Sequence, residues 1–157
     1  FVQYLTFFQG KNKHYLKKIV STKTKQNNQI TISEAIGDNK DIVLKVDIEG
    51  DEYKVLKEIN NNFNKLNLVI IEFHNLQKNL KKIKDFINKT KLRNIHINAN
   101  NYETVDTYGI PKVIEMTLIN PQKFKIKNYK TKRNYPIEGL DFKNHKRGPE
   151  IKIIFGK

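Results

Sequence analysis

Cysteine is absent from the 157 residues. Disulfides, thiolate metal sites and cysteine nucleophiles are therefore excluded. No run approaches the roughly 18 consecutive apolar residues of a membrane-spanning helix, so none is expected. Arginine is scarce: of 30 basic residues only Arg93, Arg133 and Arg147 are not lysine. Nucleic-acid readers lean on the guanidinium fork for base and phosphate contacts, so no specific nucleic-acid partner is expected. With Asn at 20 and Ile at 21, the 27 lysines read as compositional drift and a solvated face. The net charge of +14 still implies weak attraction to polyanions. The sequence also lacks GxGxxG, a Walker loop, HExxH and GxSxG. That leaves no glycine-rich nucleotide loop, linear zinc motif or nucleophile elbow.

What is present suffices for one domain. Hydrophobic residues make up 38%, with nine Phe and seven Tyr. The chain starts at Phe1, and Lys11, Lys13, Lys17 and Lys18 follow an apolar start, the reverse of a signal peptide. A piece of a longer, cytoplasmic protein is expected.

Residues 41–47 (DIVLKVD) and 66–73 (LNLVIIEF) are nearly continuous apolar runs, which predicts buried parallel strands. Gly50 turns the first into a helix carrying Tyr53, Leu56 and Ile59, for which Asp51 is the expected cap and Glu52 a dipole partner. Ser33 is the expected start of a short helical turn closed by Gly37. Residues 79–89 predict a helix with Leu80, Ile83, Phe86 and Ile87 on one side. Residues 92–99, 111–119 and 150–155 are further strand candidates. Strands alternating with helices indicate an α/β fold. Residues 1–29 form an N-terminal segment, partly loop. Residues 30–157 form the main unit, with a lysine-rich aromatic arm at 120–149 expected to pack through Phe124, Tyr129, Tyr135 and Phe142.

In open α/β sheets ligands collect beyond the carboxyl ends of the strands. Asp47 ends the first strand, with Glu49 two residues on. Glu72 and His74 repeat that spacing on the second strand, and His96 and Asn98 on the third, before Asn100 and Asn101. Glu115 lies inside a strand, where a carboxylate is costly unless paired or facing a cleft. Asp47, Glu49, Glu72, His74 and His96 could also converge on a divalent ion, if the strands are neighbours. Each has a plainer reading: strand termination for Asp47, helix-start chemistry for Glu49 and Gly50, a local pair for Glu72 and His74, a turn for Asn100 and Asn101. His14 and His145 sit among lysines and read as surface residues.

Four blocks taken together resemble the FkbM-type family of S-adenosylmethionine-dependent methyltransferases. They are LKVDIEGDEYKVL (44–56), VIIEFH (69–74), HINANNY with IPKVIEMTLI (96–102 and 110–119), and YPIEGLDFKNHKRGPEIKIIF (135–155). The resemblance implies a Rossmann-like class I methyltransferase fold with a mostly parallel sheet and a late antiparallel strand. It implies S-adenosylmethionine as cofactor and O-methylation of a sugar or other small-molecule hydroxyl. By the same resemblance, Asp47, Glu49 and Gly50 lie near the cofactor. Glu72 and His74 match family residues that face the same cleft; on chemical grounds His74 is the candidate catalytic base, with Glu72 orienting it and Asp47 positioning the acceptor or cofactor. His96, Asn100, Asn101 and Glu115 fall on the acceptor side. The family's cofactor loop and ribose-binding acid precede the blocks found here, so an N-terminally truncated domain is expected. A divalent-metal enzyme, a non-catalytic partner of a methyltransferase and a homo-oligomer remain open at this point.

Overall fold

The computed structural model describes residues 19–22, 28–125 and 134–154. The apolar start at 1–9, the lysines at 11–18, His14, Tyr129 and Phe155 lie outside the described residues. Two short strands, β1 (Ile19–Val20) and β2 (Gln29–Ile30), pair in parallel. Helix α1 (Ile32–Ile36) follows. Its cap is Thr31 and not the expected Ser33. Thr31 Oγ1 accepts from Glu34 N at 3.1 Å, and Glu34 Oε2 accepts from Thr31 N at 2.8 Å, a reciprocal capping box.

The main sheet holds β3 (Ile42–Val46), β4 (Leu66–Phe73), β5 (Arg93–Ala99) and β6 (Ile114–Ile119), in the order β3-β4-β6-β5. β3 and β4 are parallel, while β6 is antiparallel to both β4 and β5. This is a mixed α/β sheet in which three strands run one way and β6 runs back between two of them. The late antiparallel strand is there, but two of the three ladders in this sheet are antiparallel. Helix α2 (Glu52–Asn61) links β3 to β4 through a short 3-10 turn, and α3 (Leu76–Lys89) links β4 to β5.

Strand alternation sorts the side chains by face. Val46, Ile71 and Met116 lie in register on one face, with Val69 and Leu118, and Phe73 and Ile114, beside them. All are buried, and Val55, Ile59, Ile83 and Phe86 of the two helices join the same core. Helix α3 begins three residues before the expected start. Leu76 anchors it, whereas Leu80 is 42% exposed.

Three expectations change. β3 is parallel but only half buried, with Val43 64% exposed, because among the described residues it has one strand neighbour. No strand forms over 150–154: Ile153 makes a single antiparallel bridge to Tyr135. The ladder stops there because Ile137, whose backbone would make its next bonds, turns to Asp141: its N–H donates to Asp141 Oδ2 and its carbonyl accepts from Asp141 N. The arm packs through Tyr135 and through polar ties, while Phe124 and Phe142 are exposed. Buried Asn120 opens the arm by donating to the carbonyls of Phe63 and Leu66.

Candidate functional site

The β3–α2 loop builds the centre of the site. Glu49 has φ +55° and Gly50 φ +105°, so the chain turns sharply after Asp47 and is not extended. At Gly50 that left-handed backbone strains any side chain, and a Cβ would sit 3.6 Å from Asn75 Nδ2. The turn lets Glu52 fold back over its own helix start. Its Oε1 accepts from the backbone N–H of Ile48 at 3.1 Å and of Gly50 at 3.0 Å. Asp51, the expected cap, makes no side-chain cap bond and instead pairs with Lys54 at the surface.

Glu52 is fully buried, and the same Oε1 lies 3.0 Å from His74 Nδ1. A carboxylate there favours an Nδ1 that carries the proton and donates to it, which leaves the lone pair on Nε2. Glu52 Oε2 is buried without a hydrogen-bond partner among the described residues. His74 is further held through its carbonyl, which accepts from the Tyr53 hydroxyl. Burial pushes the Tyr53 phenol up to about 12, and the neighbouring Glu52 charge adds to the shift.

His74 Nε2 faces Glu49 Oε2 at 3.5 Å and Glu72 Oε1 at 3.6 Å. Glu72 is 8% exposed, and its Oε1 also accepts from Asn100 Nδ2 at 2.9 Å. Asp47, Glu72 and His74 each offer a ligand atom, all within 4.8 Å of one another. One nitrogen and two carboxylates at that spacing suit a hard divalent cation. Asp47, Glu49, Gly50, Glu72, His74 and Asn100 therefore do come together at the carboxyl ends of β3 and β4.

The remaining expected residues divide differently. Glu115 lies opposite Glu72 in the β4–β6 register and accepts from Lys45 Nζ at 3.2 Å. That bond raises the Lys45 ammonium above its usual range, with Asp47 and Glu72 adding to it. His96 turns to the arm: its Nε2 lies 2.7 Å from Asp141 Oδ1, and its ring is 5.2 Å from that of Tyr135. Asn101, next to Asn100, also grips the arm. Its Nδ2 donates to carbonyls of His145 and Pro149, and its Oδ1 accepts from His145 N. Neither His96 nor Asn101 is in the Glu72–His74 cluster. His145 is exposed, as expected.

Sequence reasoning missed Glu52 and Lys45. Glu52 sits where a helix dipole already accounts for an acid. The available signal was three carboxylates, Glu49, Asp51 and Glu52, crowded around one glycine.

Two clefts flank the loop. One, of about 390 Å³, is apolar and lies between α1 and β3, lined by Ile30, Ile32, Ile36, Leu44 and Ile48. The other, of about 410 Å³, is polar, with Glu49, His74, Lys78, Glu103 and Lys112 in its walls. Neighbouring residues Ile48 and Glu49 thus belong to different clefts. The family model described as "Methyltransferase FkbM domain" matches residues 6–104, more than half of the chain. The match takes in the β3–α2 loop, Glu72, His74 and Asn100, and ends before β6 and the arm. No curated protein and no solved structure matches the chain.

Proposed function

The chain belongs to the FkbM methyltransferase family, and we propose that it takes part in methyl transfer from S-adenosylmethionine to a hydroxyl oxygen of a sugar or similar small molecule. S-adenosylmethionine supplies, when bound, an electrophilic methyl group on a sulfonium. The described residues suit such a group chemically. The apolar cleft beside β3 fits a flat ring, and Asp47 and Glu49 carry the negative charge a sulfonium or ammonium favours. Asp47, Glu49 and Gly50 are the residues assigned to it.

The observation that carries the reading is His74. Its Nδ1 is held by a buried carboxylate, and the side chain lines the polar cleft. In this reading His74 Nε2 takes the proton of the acceptor hydroxyl, and Glu52 stabilises the imidazolium that forms. Glu72, itself fixed by Asn100 and 3.6 Å from His74 Nε2, positions the acceptor. Glu115 lies on the same sheet face. His96 and Asn101 act on the acceptor side only through the arm they hold.

The test is methyl transfer from labelled S-adenosylmethionine to a panel of sugar hydroxyls, with calorimetric titration of the cofactor alongside. Replacing His74 by Ala is expected to lower turnover about 100-fold or more while leaving cofactor binding intact. Unchanged turnover in that variant overturns the base assignment.

The Asp47–Glu72–His74 cluster favours a second reading, in which the enzyme is divalent-cation dependent. Those three residues would hold the cation, which would supply Lewis-acid stabilisation of an acceptor alkoxide. With Nδ1 protonated, a lone pair on Nε2 faces two carboxylates at 3.5–3.6 Å, an arrangement that favours a positive charge between them. Loss of activity with a chelator and recovery with added metal would carry this reading over direct proton transfer to His74.

A further inference from the structure

Lys45 points from β3 onto the polar face of the sheet. Its register partner is Ile70, so it lies on the same face as Glu72, two residues further along β4, and as Glu115, the partner of Glu72 on β6. Asp47 follows two residues after Lys45 at the end of the strand. Three carboxylates from three segments therefore act on one ammonium. It bonds Glu115 at 3.2 Å and feels the charge of Asp47 and Glu72 as well. Two of these three carboxylates are the cluster's own candidate ligands.

We propose that Lys45 sets the divalent-cation affinity of this face: its ammonium is a resident positive charge that competes with a divalent cation for Asp47 and Glu72. The inference rests on the second reading above for its cation, but it concerns a residue outside the candidate ligand set. A monovalent charge close to the ligands opposes a second, divalent one by simple Coulomb repulsion. Glu115 sets how strongly. While it bonds Lys45, the ammonium is drawn toward β6 and the ligands are less obstructed. Without it, the ammonium is left with Asp47 and Glu72 alone. The Lys45 side chain is 55% exposed, so its ammonium lies at the solvent edge of this face.

The experiment is Mn²⁺ titration of the whole chain, read as free Mn²⁺ by electron paramagnetic resonance, with circular dichroism confirming the fold. Lys45→Met keeps the stem and removes the charge, and is expected to tighten Mn²⁺ binding about tenfold. Glu115→Gln is expected to weaken it several-fold. Asp47→Asn in the Lys45→Met background should undo the gain. Opposite signs for the Lys45 and Glu115 variants are a signature that mere loss of structure does not give. Equal affinity in the natural chain and Lys45→Met overturns the role of Lys45 and leaves the cation reading standing. Binding in Lys45→Met alone supports the competition and removes the cation reading for the natural chain. No Mn²⁺ binding in any variant removes both.

Discussion

The two faces of the four-stranded sheet use the same strands for opposite ends. On one face Val46, Ile71, Phe73, Met116 and Leu118 are buried against α2 and α3. On the other, Lys45, Glu72, Glu115, Asn98 and His96 run across all four strands as a polar stripe. In β4 Ile71 and Phe73 face the core while Glu72 between them faces the other way, so one eight-residue strand supplies both stability and the candidate site. The difference between faces follows strand parity, and one substitution on each face should separate them. Phe73 is fully buried, with its ring 5.6 Å from that of Tyr53 and 6.5 Å from that of Phe86. Phe73→Ala is expected to cost about 3–5 kcal/mol in denaturant unfolding. Thr117→Val, on the polar face of β6 and half buried, should stay within about 0.5 kcal/mol. A comparable loss at both positions would erase the distinction between the faces.

Glu52 is where the two sides meet. It is buried at the edge of the core, yet its bonds serve the β3–α2 loop and His74. Glu52→Ala leaves two backbone N–H groups and a histidine nitrogen without their acceptor, which is expected to cost about 2–3 kcal/mol. Glu52→Gln should recover part of that stability through its amide oxygen while leaving the imidazolium unsupported. In the methyl-transfer assay proposed above, a Gln variant that matched the natural chain would reduce Glu52 to a loop anchor.

Tyr53 offers a smaller, pH-dependent probe of the same junction. Its phenol titrates at about 12 in the folded chain against an ordinary value of 10.0. The folded state therefore keeps a proton that the unfolded state gives up first. The resulting stability is complete below pH 10 and is lost as pH rises through about 12. Comparing the natural chain with Tyr53→Phe by thermal unfolding should show a steeper alkaline decline in the natural chain. Parallel curves would mean that the hydroxyl contributes no linkage.

The four strands of the main sheet, the helices and the Glu72–His74 pairing were legible in the sequence because each rests on spacing within one segment. β4 runs over residues 66–73, the span its apolar pattern predicts. A two-residue offset in a strand puts Glu72 and His74 on one side whatever surrounds them. What escaped depends on contacts between segments. The insertion of β6 between β4 and β5 is not encoded in either strand's own pattern. His96 and Asn98 share a face, yet His96 is drawn to Asp141, 45 residues away, on an arm whose own pattern is weak. Asn100 and Asn101 read alike in sequence, but one holds Glu72 and the other holds the arm. The pairing of Lys45 with Glu115 spans 70 residues and could not be read from β3 alone.

Asp51 and Glu52 give the finest version of the comparison, since they are neighbours of equal charge at one helix start. Capping statistics favour Asp51, and losing a true N-cap typically costs about 0.5–2 kcal/mol. Here Asp51 makes no side-chain cap bond, and its side chain, 55% exposed, pairs with Lys54 at 2.7 Å. Exposed ion pairs of this spacing contribute about 0.3–0.5 kcal/mol at most. Asp51→Ala should therefore shift the unfolding free energy by no more than a few tenths of a kcal/mol, less still in high salt, which screens the pair. The same substitution at Glu52 is expected to cost several times more. The ratio between these two neighbours, measured under one set of conditions, tests directly whether the inward-turned carboxylate, and not the residue at the capping position, holds the loop that presents Asp47 and Glu49. Equal losses would return the capping role to Asp51.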